Sequence, residues 1–143
     1  MKLLKPAHAV YKTQYHIVWP TRFRRKILVN GVDSYLEIKL KEVSQYYPDW
    51  QYLTIGMGRD HVHIHIIIPP KYAVAKVVET IKTNTSRSLQ EKFSFLEKVY
   101  WDKNGIWSKG YFVSTVGIDE KIIKNYVRMQ GEEDAGRAQL VLV

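Results

Sequence analysis

Three histidines occupy alternate positions in the segment RDHVHIHIIIPP, residues 59 to 70: His61, His63 and His65. Side chains alternate across a β-strand, so a strand here would place all three imidazoles on one face. Two imidazoles at this spacing have Cβ atoms roughly 7 Å apart, and neutral imidazole binds several divalent ions. The spacing indicates either a metal site or a strand whose exposed face carries tolerated polar residues. It leaves open which two histidines would form the metal pair.

A tyrosine and a glutamine near the C-terminus form the second candidate group. Tyr126 and Gln130 are four residues apart in IIKNYVRMQ, so a helix places them on one face, a turn apart. A tyrosine phenol can act as a nucleophile. On this helix alone, the pattern is more typical of a packing tyrosine and a surface glutamine.

The composition favours one globular domain with a polyanionic partner. The 143 residues are 45% hydrophobic, and the net charge is +8. A basic surplus of this size favours nucleic acid, and ten tyrosines and four tryptophans supply rings that stack on unpaired bases. The absence of cysteine excludes disulfides, thiolate zinc sites and a cysteine nucleophile, and it fits a reducing compartment. No apolar run has membrane-spanning length and no signal peptide is evident, so we expect a cytoplasmic protein without a membrane partner.

The elements that must position these residues follow from periodicity and from Gly and Pro. The prediction is strands over 9–20, 50–58, 60–68 and 111–117, with helices over 32–48, 72–93 and 118–130. This order is the α+β, ferredoxin-like βαββαβ plan, which is also that of the RRM, with an additional C-terminal helix. The antiparallel sheet would carry two helices on one face and leave the other face open for function.

Side-chain chemistry also predicts the ends of two helices. Asp33 and Asp119 are expected to cap helix N-termini, while Pro48 and Gly131 are expected to end the same helices. The tail 131–143 would then pack on a partner subunit or add a strand.

Four segments, in order, resemble one family. They are YHIVWPTRFRRKIL at 15–28, DHVHIHIII at 60–68, GYFVSTVG at 110–117 and the helix with Tyr-x-x-x-Gln at 119–130. Together they resemble the HUH single-strand transposases with one catalytic tyrosine, the TnpA-type enzymes of small bacterial and archaeal insertion sequences. The resemblance covers most of the chain, which we treat as a single domain over 1–143.

The resemblance implies roles for particular residues. Tyr126 would attack a DNA phosphate and form a 5′-phosphotyrosine, and His61, His63 and Gln130 would bind Mg²⁺ or Mn²⁺. His65 departs from the family pattern, which usually has an apolar residue there. It leaves open whether His65 joins the metal site, replaces His61 or contacts DNA.

The resemblance also implies partners. The substrate would be single-stranded DNA with hairpins at the element ends, in the nucleoid of a prokaryote. A homodimer is expected. The helix that carries Tyr126 could be donated to the active site of the partner subunit, with Gly117 as the hinge for that exchange. The predicted DNA-binding residues are Arg22, Arg24, Arg25, Lys26, Lys82 and Arg87.

Two other functions fit the same sequence. An RRM-like module would bind nucleic acid without catalysis, although no RNP1-like run with paired aromatics is present. A metal-dependent hydrolase would use the histidines to activate water. A covalent protein–DNA product distinguishes the transposase from both.

Overall fold

The computed structural model describes residues 13–142, with side chains described through residue 135. A four-stranded antiparallel sheet has the order β2-β3-β1-β4. The strands are β1 Gln14–Pro20, β2 Gln51–Met57, β3 His61–Ile67 and β4 Phe112–Ser114, and the helices are α1 Val32–Tyr46, α2 Val74–Lys92, α3 Leu96–Val99 and α4 Glu120–Leu142. The predicted α+β class and βαββαβ order are confirmed. Part of the first predicted strand, residues 9–12, lies outside the described residues.

One face of the sheet forms the main core with α1 and α2. Val62, Ile64 and Ile66 of β3 are fully buried there, as their alternation predicts. β1 contributes Ile17 and Trp19 to the same cluster. The helices close it with buried residues at helical spacing: Leu36, Leu40, Val43, Val77, Val78 and Ile81. Burial of these branched side chains is the dominant stabilising contribution to the fold.

The start of α1 differs from the prediction. Gly31, with φ of 97°, is the N-cap residue, and the helix begins at Val32. The prediction of Asp33 as N-cap is wrong: Asp33 lies in the first turn, and its carboxylate accepts a hydrogen bond from the Gly31 backbone N–H at 3.3 Å. The left-handed conformation, which glycine adopts without steric cost, sets the chain direction here.

The last helix is longer than its sequence pattern predicts. The Asp119 carboxylate accepts a hydrogen bond from the Ile122 N–H at 2.9 Å, which confirms the predicted N-cap. Gly131 does not end the helix, because α4 continues to Leu142. The tail after Gly131 therefore extends the helix and adds no strand to the described sheet.

The open face of the sheet is partly covered by α4. Ile123 and Val127 pack against Val18 of β1, and Phe112 and Tyr126 border this small second cluster. Within residues 13–142, no helix is long and apolar enough to cross a membrane.

Candidate active site on the histidine face

The three histidines of β3 lie on the face away from α1 and α2. All three are partly exposed, whereas the residues between them are buried. The β1 residues opposite His61, His63 and His65 are Pro20, Val18 and His16. Val18 is also the residue on which α4 packs, so the helix that carries Tyr126 lies beside the neighbour of His63.

His61 is held at the turn between β2 and β3. Its Nδ1 lies 2.9 Å from Asp60 Oδ1, and Arg24 Nε lies 3.3 Å from Asp60 Oδ2. The hydrogen bond with His61, followed by the effect of Arg24, lowers the pKa of Asp60. A Cβ at Gly58 would lie 2.3 Å from His61 Cε1, so only glycine leaves room for this ring position.

A further histidine, His16, contacts both His63 and His65, and sequence spacing does not predict this contact. His16 stacks on His65 with ring centroids 4.0 Å apart, and its Nδ1 lies 3.4 Å from His63 Nε2. His65 Nε2 lies 2.9 Å from the side-chain oxygen of Gln14. Burial is the main cause that lowers the pKa of both His63 and His65, and the nearby imidazoles add to it. A lowered pKa favours the neutral form of both imidazoles, which is the form that binds a metal ion.

Tyr126 lies at the border between α4 and the sheet. Its ring packs against Phe112 with a centroid distance of 5.7 Å. Burial, with smaller contributions from Glu133 and Asp134, raises the pKa of Tyr126 to about 12. The phenol is therefore protonated near neutral pH and must lose its proton to act as a nucleophile.

Gln130 lies on the buried stripe of α4. The described buried residues of this helix are Ile123, Val127, Gln130 and Asp134, the spacing of a single face. Gln130 is 8% exposed, so it is not the surface residue that the helix pattern alone favours. Its amide is carried on the face that covers the sheet.

His61, His63 and Gln130 carry the donor types that a divalent cation takes. Among residues whose side chains are described, no three His, Cys, Asp or Glu could jointly hold a metal ion. His61 and His63 would supply two imidazole nitrogens, and the amide oxygen of Gln130 is a third candidate donor on the helix that covers this face. The Asp60 contact at Nδ1 of His61 leaves Nε2 as the ring nitrogen for a metal, the usual carboxylate–histidine–metal arrangement.

The basic segment, residues 22–26, contains both paired and exposed cations. Arg22 forms a two-pronged ion pair with Asp102, with N–O distances of 2.6 and 2.5 Å. Arg24 pairs with Asp60 beside His61, while Arg25 and Lys26 are exposed. Phe23 and Arg24 have φ of 60° and 55°, an uncommon conformation for residues other than glycine.

The C-terminal part of α4 anchors this segment. Asp134, 7% exposed, accepts hydrogen bonds from the Phe23 backbone N–H at 3.0 Å and from the Ser108 hydroxyl at 2.9 Å. A Cβ on Gly131 would lie 2.3 Å from Arg24 Cδ. Gly131 therefore permits close packing of Arg24 on the helix, which explains a glycine inside α4.

The two predicted DNA-binding residues of α2 lie apart from the histidine face. The Lys82 ammonium donates to the backbone carbonyls of Ser108 and Gly110, at 2.7 and 2.9 Å, so it stabilises a loop. Burial lowers the pKa of Lys82 to about 8, although Asp134 opposes this. Arg87 is exposed. A DNA contact by either side chain stays a prediction.

Comparison with known proteins supplies a family. Residues 9–130 match the family described as "Transposase IS200 like". The chain is 30% identical over 134 residues to the transposase of insertion sequence element IS200 from Salmonella typhimurium, covering 94% of this chain and 87% of that protein. It is 24% identical to the ISDra2 transposase TnpA of Deinococcus radiodurans, covering 94% and 95%.

Two solved structures share the fold. A crystal structure of a candidate transposase from Deinococcus radiodurans R1 has a TM-score of 0.77 and 25% identity, covering 91% of this chain and 98% of that one. A REP-associated tyrosine transposase bound to a REP hairpin has a TM-score of 0.54 and 13% identity, covering 87% and 68%. At that identity, the second likeness concerns the fold alone.

Proposed function

The chain belongs to the IS200-like transposase family, and we propose that it cuts and rejoins single-stranded DNA through a covalent bond to Tyr126. The observation that carries this proposal is the packing of α4 on Val18, the neighbour of His63 on the histidine face. The candidate nucleophile and the candidate metal-binding histidines, more than 60 residues apart in sequence, thereby lie on the same side of the sheet.

The proposed reaction is a transesterification at a DNA phosphate. The Tyr126 oxygen loses its proton and attacks phosphorus, and the bond between phosphorus and the 3′ oxygen of the preceding nucleotide breaks. The leaving 3′ oxygen takes up a proton, so a 5′-phosphotyrosine and a free 3′-hydroxyl result. The phosphodiester energy is kept in the new bond, so a second 3′-hydroxyl can later displace the tyrosine without an external energy source. The phenol is a better leaving group than an alkyl alcohol because its pKa is lower.

The remaining side chains would position the reacting groups. We assign His61, His63 and Gln130 to a bound Mg²⁺ or Mn²⁺, whose charge would polarise the phosphate. Asp60 orients His61, and Arg24 holds Asp60. The register of the metal pair remains a proposal, because His16 places a fourth imidazole next to His63 and His65.

The proposed substrate is single-stranded DNA with hairpins at the element ends. The structurally similar REP-associated transposase is bound to a REP hairpin, which supports a hairpin substrate here. The net charge of +8 and the exposed Arg25 and Lys26 would attract the phosphate backbone. A homodimer would bring two tyrosines to two element ends, with α4 able to act in cis, as it packs here, or in trans.

The test is formation of a covalent protein–DNA product. The purified protein is mixed with labelled single strands from both flanks of its gene, in Mg²⁺ or Mn²⁺, and the products are separated on a denaturing protein gel. We expect label at the mass of the protein plus DNA, lost with EDTA and lost in Tyr126→Phe. Tyr46→Phe is the matched control, because Tyr46 is 79% exposed on α1, away from the histidine face.

Other products identify the alternative functions. A released fragment with a free 5′-phosphate and no adduct would indicate the hydrolase. Tight binding without any cleavage product in either metal would indicate the binding module and would remove Tyr126 from the catalytic role.

A further inference from the structure

Trp101 stands apart from the other tryptophans. It is 80% exposed, whereas Trp19, Trp50 and Trp107 are 0%, 3% and 6% exposed. A large aromatic side chain gains most from burial, so an isolated exposed indole is a candidate contact for a partner. Neither the histidine face nor the tyrosine helix uses it.

Trp101 forms one wall of a hollow of about 550 Å³ beside the basic segment. The aromatic rings of Phe93 and Phe95 also line it. Arg25, Lys26 and Lys98 supply positive charge, and of the lining side chains that the structure describes, none is Asp or Glu. This volume lies within the range of pockets that take a small organic group.

An ion pair links this wall to the basic segment. Asp102, next to Trp101, is engaged by both guanidinium nitrogens of Arg22. The same guanidinium lies 5.2 Å from the ring centroid of Tyr100, on the other side of Trp101 in the chain. The acidic neighbour is thus paired, and the indole lies beside the cations of the hollow.

The hollow is connected to the candidate active site through the backbone. Arg24 contacts Asp60 and α4, whereas the next residue, Arg25, lines the hollow. The backbone of Phe23 and Arg24 is left-handed just where the chain passes from the candidate active site to the hollow. Backbone strain of this kind is concentrated at functional sites.

We propose that this hollow binds an unpaired nucleobase of the DNA strand, stacked on Trp101, with the flanking phosphates at Arg25, Lys26 and Lys98. An aromatic face with adjacent cations and no acidic lining suits a single strand, because every base offers a ring face and every linkage a negative charge. Duplex DNA presents its phosphates but keeps its bases paired. The inference rests on the proposed function for its choice of DNA.

Because the other three tryptophans are buried, quenching of tryptophan emission by acrylamide reports mainly on Trp101. Tryptophan emission is followed in the full chain with EDTA present, so that no strand is cut. The probe is an oligothymidylate of about 16 nucleotides. We expect DNA to quench the emission and to protect the exposed indole from acrylamide. Continued acrylamide access at saturating DNA would overturn the proposal.

Substitutions separate stacking from general charge. Trp101→Ala should weaken oligothymidylate binding about tenfold, measured by fluorescence anisotropy of labelled DNA, while Trp101→Phe should keep most of the affinity. Tyr46→Ala is the control, since Tyr46 is equally exposed but lies outside the hollow. Equal weakening by both alanine variants, or none by Trp101→Ala, would overturn the proposal, provided that circular dichroism shows both variants folded.

Two further measurements test this assignment. The first distinguishes an unpaired base from duplex DNA, and the second distinguishes failure of this site from failure of the proposed function. A duplex of the same length should compete weakly; competition and quenching equal to the single strand would overturn the assignment to an unpaired base. Protection of Trp101 without any adduct in the wild-type protein would support this site and reject the proposed reaction.

Discussion

The two faces of β3 are held by different kinds of contact. Toward α1 and α2, Ile64 and its neighbours are fully buried among branched apolar side chains. Toward α4, His63 and its neighbours are partly exposed and make a few directional contacts with His16, Gln14 and Asp60. Residues adjacent in sequence therefore have separate environments: the apolar face provides stability, and the polar face carries the proposed chemistry.

The strongest test of this division is His63→Ala. Because His63 is partly exposed, its loss should change the free energy of unfolding by less than about 1 kcal/mol. Adduct formation should fall about 10³-fold if the ring holds the cation, since such an ion contributes several kcal/mol. Single-turnover rates measure the loss of adduct formation, and urea titrations measure the change in the free energy of unfolding. A near-normal rate would transfer the metal role to other imidazoles on this face.

The adjacent residue should give the opposite result. Ile64→Ala removes a fully buried side chain and should lower the free energy of unfolding by about 2–5 kcal/mol, measured by urea titration. The adduct rate per folded molecule should remain close to wild type, because Ile64 does not face the site. A large loss of rate at full folding would show that the two faces are not separable.

The anchor of α4 should have an intermediate effect. Asp134→Ala leaves the Phe23 N–H and the Ser108 hydroxyl without their acceptor, so we expect a loss of about 1–3 kcal/mol of stability. Glu132→Ala is the control, because its ion pair with Arg128 is exposed and such pairs contribute little. Urea titration compares the two. Equal effects would show that α4 is held by its apolar stripe alone.

The smallest expected effect concerns pH. Asp60 has its pKa lowered by His61 and Arg24, so its ionised form stabilises the folded state above its ordinary pKa near 3.8. This contribution is lost as the pH falls through the lower folded-state pKa. Asp60→Asn should therefore be less stable than wild type at pH 6, by under about 1 kcal/mol. Thermal melts should show the difference shrinking below pH 4, and a difference independent of pH would contradict this role.

Sequence patterns predicted what depends on local repetition. The alternation of Val62, Ile64 and Ile66 with the histidines identified both faces of β3, because burial enforces a period of two. His16 has no such local partner in sequence. Only the pairing of β1 with β3 places it opposite His65, so its role could not be found without the register.

Individual residues were misread where packing decided their conformation. Gly131 looks like a helix end, but in the structure its missing side chain makes room for Arg24. Gly31, and not the neighbouring acid, caps α1 because the turn requires a left-handed residue. The DNA contact of Lys82 stays a prediction, but the bonds from its ammonium to two backbone carbonyls are not predicted by the sequence pattern. Each depends on contacts between segments distant in sequence.

The position of α4 after the whole sheet has a consequence for biosynthesis. Domains generally fold from the N-terminal side while the chain is being made. β1 and β3, which carry the histidines, can pair before Tyr126 is translated, because β3 ends at Ile67. A chain that ends between Ser114 and Tyr126 would contain all residues of the sheet and of the basic segment but not the proposed nucleophile. Translation order would therefore delay the proposed strand cutting until α4 has been added and has docked.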